Sequence, residues 1–108
     1  MSNFFIVQSQ DMFTDVRAGQ QFELARALAS RGHKVAVMLV QNAVLAARLD
    51  ARAGSLFQLL DSRITLYADE FSLTLREIKP GELLAFVMPA SLDLVIDAMQ
   101  RGDKVIWN

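Results

Sequence analysis

The sequence contains no cysteine, and this absence excludes several kinds of chemistry. Disulfide bonds, thiolate metal sites and cysteine-based redox or transfer reactions all need a thiol from the chain itself. Histidine is nearly absent too, because His33 is the single copy. With one histidine and no cysteine, the sequence gives no reason to expect a bound metal. No cofactor is expected either.

Glycine and basic clusters are also scarce. The five glycines stand singly, and none follows the first apolar segment in the spacing of a dinucleotide-binding loop or a P-loop. The net charge is -1 and the charges are scattered, which argues against nucleic-acid binding and against attachment to an anionic membrane. No apolar run approaches the roughly 18 residues of a membrane-spanning helix. The first residues lack the basic region of a signal peptide. The absence of cysteine agrees with a cytoplasmic location, which is the expected one.

Apolar residues, in contrast, are abundant for so short a chain. They make up 53% of the 108 residues, which suit a single domain over residues 1–108. A small domain has a high ratio of surface to volume and should need less apolar material. The surplus predicts a parallel sheet covered on both faces and, in addition, burial against another subunit.

Apolar segments and helical patterns alternate along the chain. Strands are predicted at residues 4–7 (FFIV), 35–40 (VAVMLV), 64–68 (ITLYA), 83–88 (LLAFVM) and 104–107 (KVIW). Helices are predicted at residues 14–31, 43–52, 55–60 and 70–76, and between Ser91 and Gly102. This alternation predicts an α/β fold: a three-layer α/β/α sandwich around a five-stranded parallel sheet. In the last helix, the spacing of four apolar residues predicts that they face the core: Leu92, Val95, Ile96 and Met99.

Polar residues follow the predicted strands, and the carboxyl ends of parallel strands share one edge of the sheet, where ligands usually bind. The pocket candidates are Gln8, Gln10, Gln41, Asn42, Asp69, Glu70 and Ser91. Met88, Pro89 and Ala90 are expected at the same edge. Each of these residues has an ordinary explanation as well, because loops at strand ends are polar wherever their backbone faces water.

Two acids and two apolar residues at this edge raise specific alternatives. Asp69 and Glu70 form either an acid/base pair with separated pKa values or a simple cap of the next helix, and capping is the favoured interpretation. Met12 and Phe13 lie in a loop at the edge of the sheet. They either cover the pocket or contact a neighbouring subunit, and the apolar surplus favours the subunit contact.

The chain resembles the DsrE/DsrF/DsrH family of small sulfur-relay proteins, which includes the Tus proteins of tRNA thiolation. The resemblance covers almost the whole length and depends on the order of its segments: FELARALASRGHKVAVMLVQNAV, LYADEFSLTLREI and SLDLVIDAMQRGDKVIWN. It implies a DsrE-like, flavodoxin-like fold. It also implies trimers or hexamers, formed by this chain alone or with DsrE-family or other sulfur-relay proteins.

Members of the family that carry sulfur use a cysteine at the end of the third strand, a few residues before an arginine-glycine pair. If that pair corresponds to Arg76 and Glu77, the cysteine position falls at Asp69, within one residue. The resemblance therefore implies a non-catalytic, oligomeric protein that is either a structural or regulatory partner in sulfur relay or a homomeric relative with a different role. The alternative is a small-ligand-binding protein or enzyme that uses the pocket at Asp69 and Glu70.

Overall fold

The computed structural model of the chain describes residues 2–9, 16–48 and 64–107. The strands are β1 (Asn3–Gln8), β2 (Lys34–Leu39), β3 (Ile64–Asp69), β4 (Val87–Ala90) and β5 (Lys104–Trp107). The α-helices are α1 (Val16–Ser30), α2 (Glu70–Leu75) and α3 (Asp93–Arg101), and 3-10 helices occupy Gln41–Ala47 and Pro80–Glu82. In this part of the chain no helix is both long and apolar enough to cross a membrane.

All five strands are parallel, in the order β4-β3-β2-β1-β5. Strand β1 lies in the interior of the sheet. Strands β2, β3 and β4 follow it in order on one side, and β5 lies on its other side. Because crossovers between parallel strands are right-handed, this change of side moves the last helix to the opposite face of the sheet. The predicted five-stranded parallel sheet is confirmed.

Side chains that alternate along the strands belong to two separate apolar clusters, one on each face of the sheet. On one face, Ile6 and Val37 pack with Ala25 and Ala29 of α1 and Leu73 of α2. On the other face, strand residues that include Phe5, Val7 and Met38 pack with α3. Two faces covered by helices make a three-layer sandwich, which also explains why β1 and β2 lack the polar alternation of half-exposed strands.

The fourth strand was predicted incorrectly. Residues 83–88 were expected to form it, whereas β4 spans Val87–Ala90 and contains Pro89, paired in register with Ala68. Leu83 instead forms an isolated bridge with Arg48. Proline is tolerated here because β4 is an edge strand, where one side of the backbone needs no partner. Met88, Pro89 and Ala90 therefore lie within the strand and not in the loop that follows it.

The orientation of α3 differs from the prediction as well. Of the four residues expected to face the core, only Val95 is buried, and Ala98 accompanies it. The other three are exposed by 41%, 53% and 56%: Leu92, Ile96 and Met99. The apolar side chains of α3 cover a wider arc than the surface that contacts the sheet. Those beyond this contact surface therefore face outward.

Smaller differences between the predicted and the observed structure concern the segments that connect the strands. The first half of the segment predicted as helix at residues 43–52 is a 3-10 helix, Gln41–Ala47, and the helix predicted at residues 55–60 lies outside the described residues. Gly32 and Gly102, with φ of 89° and 83°, end α1 and α3 in the left-handed conformation that glycine adopts without strain.

Candidate functional site

The candidate site lies at the carboxyl ends of β2 and β3. Asp69 is the last residue of β3 and the N-cap of α2, and it is 4% exposed. Its Oδ2 atom accepts a hydrogen bond of 2.9 Å from the backbone N–H of Ser72. This is the bond by which an N-cap side chain satisfies one of the free N–H groups of the first helical turn. The capping interpretation of Asp69 is confirmed.

Ser72 connects this cap to the end of β2. Its hydroxyl donates a 2.7 Å hydrogen bond to Oδ2 of Asp69 and accepts one of 2.8 Å from the backbone N–H of Gln41. Gln41 has a φ of 51°, in the left-handed region that few residues other than glycine adopt. The buried hydroxyl of Ser72 therefore holds a strained turn after β2 against the cap of α2.

Arg76 makes a second connection between the same two segments. One guanidinium nitrogen donates to the side-chain oxygen of Asn42 at 2.8 Å, and the other donates to the backbone carbonyl of Ser72 at 3.2 Å. The planar guanidinium group suits such a double contact, because its N–H groups have a fixed geometry. Asp69, Ser72, Arg76, Gln41 and Asn42 thus form one network, which we call the carboxyl-edge network.

Of the other predicted site residues, Gln8, Glu70 and Ser91 lie within the described part of the chain. Gln8 ends β1 and is fully buried, with its backbone carbonyl accepting from the N–H of Val40 at 2.9 Å. Glu70 is exposed in the first turn of α2. Ser91 follows β4, and its hydroxyl accepts from the N–H of Asp93 at 3.0 Å. Three further candidates lie outside the described residues: Gln10, Met12 and Phe13.

The hydrogen bonds of the network fix the end of β2 to the end of β3 and to α2. Both hydrogen bonds to Oδ2 of Asp69 come from one residue, Ser72, and they fix the carboxylate at the start of α2. Glu70 is exposed, whereas the carboxylate of Asp69 is buried and bonded to Ser72, so the two acids have different surroundings. Among the described residues, no group of three potential metal ligands is present.

Two members of the network, Ser72 and Arg76, were not among the predicted site residues. A local signal existed for Ser72, because it follows the capping Asp69 by three residues, the spacing at which a cap meets the N3 position. No local signal existed for Arg76, whose partner Asn42 is 34 residues away.

Glu77, two residues after the last residue of α2, has an unusual backbone conformation. Its φ is 55°, its N–H donates to the carbonyl of Thr74 at 3.1 Å, and the N–H of Ile78 donates to the carbonyl of Leu73 at 3.0 Å. These two bonds and the contact between buried Ile78 and Leu73 form a Schellman motif, in which glycine usually occupies the left-handed position. Here a glutamate occupies it.

Comparison with known proteins gives a consistent result. The model of the DsrE/DsrF-like family matches residues 2–107. No curated protein matches the chain significantly. Among solved structures, a protein of unknown function from Methanobacterium thermoautotrophicum, MTH1491, is 16% identical with a TM-score of 0.87. The ychN protein of E. coli is 18% identical with a TM-score of 0.88. Both comparisons cover 100% of each chain, and at these identities they show a shared fold.

Proposed function

The chain belongs to the DsrE/DsrF-like family, and from this premise we propose that it is a non-catalytic, oligomeric member that serves as a structural or regulatory partner in cytoplasmic sulfur relay. Family membership supports the connection with sulfur relay. One observation carries the non-catalytic part of the proposal. Asp69, which the resemblance places within one residue of the cysteine position of sulfur-carrying relatives, has a buried carboxylate bonded to Ser72.

The correspondence between Asp69 and the cysteine position depends on the arginine-glycine pair of the relatives. The left-handed φ of 55° at Glu77 supports matching that pair to Arg76 and Glu77, because this is a conformation that favours glycine. With no cysteine anywhere in the chain, a persulfide has no side chain on which to form. The chain would take part in relay through its contacts with other subunits.

Exposed apolar residues support the oligomeric part. Leu92, Ile96 and Met99 lie at i, i+4 and i+7 on the outward side of α3, and we call them the outer stripe. Phe71 and Leu75, 69% and 63% exposed, lie at i and i+4 on α2, and we call them the α2 pair. Large apolar side chains grouped on one helix face are typical of contact surfaces, whereas single exposed ones are ordinary.

The α2 pair lies next to the carboxyl-edge network, since Phe71 and Leu75 directly precede two of its members, Ser72 and Arg76, along the chain. A subunit that covers this pair would lie close to the position of the relatives' cysteine. The proposed partners are further copies of this chain, in a trimer or hexamer, and cysteine-bearing DsrE-type subunits or other sulfur-relay proteins.

Native mass spectrometry of the chain, alone and mixed with a cysteine-bearing DsrE-type subunit, tests this proposal. We expect a closed homo-oligomer or a mixed assembly of fixed stoichiometry. The matched variants are Phe71→Ser with Leu75→Ser, which alters the α2 pair, and Leu24→Ser, which alters an isolated exposed leucine of α1. Only the first is expected to change the assembly. A chain that stays monomeric in both samples would refute the proposal.

A further inference from the structure

A cavity of about 460 Å³ lies at the opposite edge of the sheet from the carboxyl-edge network. Asn3, Lys34 and Thr65, at the first or second position of β1, β2 and β3, contribute to its lining. Because the strands are parallel, these amino ends share one edge, and Thr65 lies about 13 Å along β3 from Asp69. The volume falls within the range of about 300–1,000 Å³ found for small-molecule sites. We call it the amino-edge pocket.

The sheet forms one wall of the pocket, and this wall contains aromatic residues. The rings of Phe5 and Tyr67, on the two strands that flank β2, are nearly parallel, with an angle of 6° and centroids 6.4 Å apart. On β2, Ala36 pairs in register with Phe5 and Thr65, two residues before Met38, which pairs with Tyr67. Phe5 is only 3% exposed and supports the ring of Tyr67 from the core, whereas Ala36 and Tyr67 are partly exposed. The small side chain of Ala36 beside the ring of Tyr67 gives an apolar surface on which another aromatic ring can stack.

The other wall comes from one flank of α3. Leu94 and Arg101 line the pocket and lie seven residues apart, on the same side of the helix. Arg101 donates to Asp103 at 2.8 Å, and the side chain of Asp103 is only 8% exposed. The arginine therefore neutralises an acid that is largely removed from water.

The lining carries a net positive charge. Lys34, Arg101 and Asp103 are its charged members, and the ion pair between the last two leaves Lys34 as the surplus cation. Within the described residues, no acidic side chain pairs with Lys34. The whole chain has a net charge of -1, so a positive pocket does not follow from its overall composition. The charge complements an anionic ligand.

From the size, the aromatic wall and the surplus cation together, we propose that the amino-edge pocket binds a flat aromatic molecule that carries one acidic group, a carboxylate or a sulfonate. The ring stacks over Ala36 against Tyr67, and the acidic group lies at the mouth beside Lys34. This site is independent of the proposed role in sulfur relay, because none of its residues belongs to the carboxyl-edge network.

Titration with anilinonaphthalene sulfonate, an anion whose flat naphthalene ring system fluoresces when bound, tests the proposal. Neutral N-phenylnaphthylamine is the matched probe without the charge. We expect the anion to bind more tightly than the neutral dye. Lys34→Gln should weaken binding of the anion by roughly two- to fivefold, the effect of an exposed ion pair, and leave the neutral dye unchanged. Lys79→Gln is the matched control, an exposed lysine outside the pocket. Ala36→Leu should abolish binding of both dyes by filling the space over β2.

The outer stripe is the other apolar surface of α3 to which the dye could bind. Ile96→Ser with Met99→Ser should therefore leave the affinity of the anion unchanged. Tyr67 is the only tyrosine, so fluorotyrosine labelling gives one fluorine resonance in the pocket, which should shift as the dye is added. An unshifted resonance, equal affinity for the two dyes, or binding that depends on Ile96 and Met99 and not on Lys34 would overturn the proposal. The resonance reports on the unmodified pocket even if Ala36→Leu fails to fold.

Discussion

The hydroxyl of Ser72 lies 2.7 Å from Oδ2 of Asp69, and this short hydrogen bond joins the end of β3 to the first turn of α2. The same hydroxyl accepts the N–H of Gln41, at the end of the neighbouring strand. A carboxylate in this arrangement caps a helix and fixes a turn. Asp69 is thereby part of the structure that holds β2, β3 and α2 together.

Replacing Ser72 by alanine should destabilise the protein. The variant leaves the N–H of Gln41 without its partner and removes one of the two hydrogen bonds to Asp69, which predicts a loss of about 1–3 kcal/mol in the free energy of unfolding. Urea denaturation followed by circular dichroism measures it. Ser30→Ala is the matched control, because the hydroxyl of Ser30 bonds to the carbonyl of Ala27 at an exposed site. An equal loss in both variants would contradict the assigned role of Ser72.

Replacing Glu77 by glycine should stabilise the protein. Glycine adopts the left-handed conformation at this position without strain, and the expected gain is about 0.5–1 kcal/mol after its greater backbone entropy is subtracted. The thermal midpoint should rise. Glu23→Gly, at an exposed position inside α1, should instead cost about 1 kcal/mol. Destabilisation by Glu77→Gly would show that the glutamate side chain contributes more than its conformation costs.

Replacing Arg76 by methionine should loosen the turn after β2. The change keeps the apolar stem and removes the bonds to Asn42 and to the carbonyl of Ser72, so amide hydrogen exchange should become faster at Gln41 and Asn42. Arg26→Met provides the control, since Arg26 pairs with Glu23 on the exposed side of α1. Unchanged exchange at both positions in Arg76→Met would show that the arginine does not brace the turn.

Removing the outer stripe should weaken subunit assembly without affecting the fold. Ile96→Ser with Met99→Ser replaces side chains that are more than half exposed, so the circular dichroism spectrum should stay the same. In sedimentation velocity, the variant should dissociate at a higher protein concentration than the unmodified chain does. If the variant sediments as the unmodified chain does at every concentration, the outer stripe is not an interface.

The parts of the fold that depend on local patterns could be predicted from the sequence. Continuous apolar runs identified β1 and β2, a short run of strand-forming residues identified β3, and the helix cap at Asp69 followed from an acid at the start of a helix. The prediction ended the fourth strand at Met88, directly before Pro89, whereas β4 continues to Ala90. Whether proline can occupy a strand depends on whether that strand lies at the edge, which the sequence does not state.

Properties that depend on distant parts of the chain could not be predicted. The exposure of Ile96 and Met99 reflects the orientation of α3 on the sheet, and helical spacing alone does not distinguish a core face from a contact surface. The bonds from Arg76 to Asn42 and from Gln41 to Ser72 join residues 34 and 31 positions apart. Only the order of β2 and β3 in the sheet brings them together.

The most direct test of the central claim, a non-catalytic subunit that acts by assembling, is the mass of the protein in solution. Size-exclusion chromatography with light scattering at micromolar concentration should give three or six times the chain mass of 12.0 kDa. A monodisperse peak at 12.0 kDa, unchanged by a cysteine-bearing DsrE-type partner, would contradict the account.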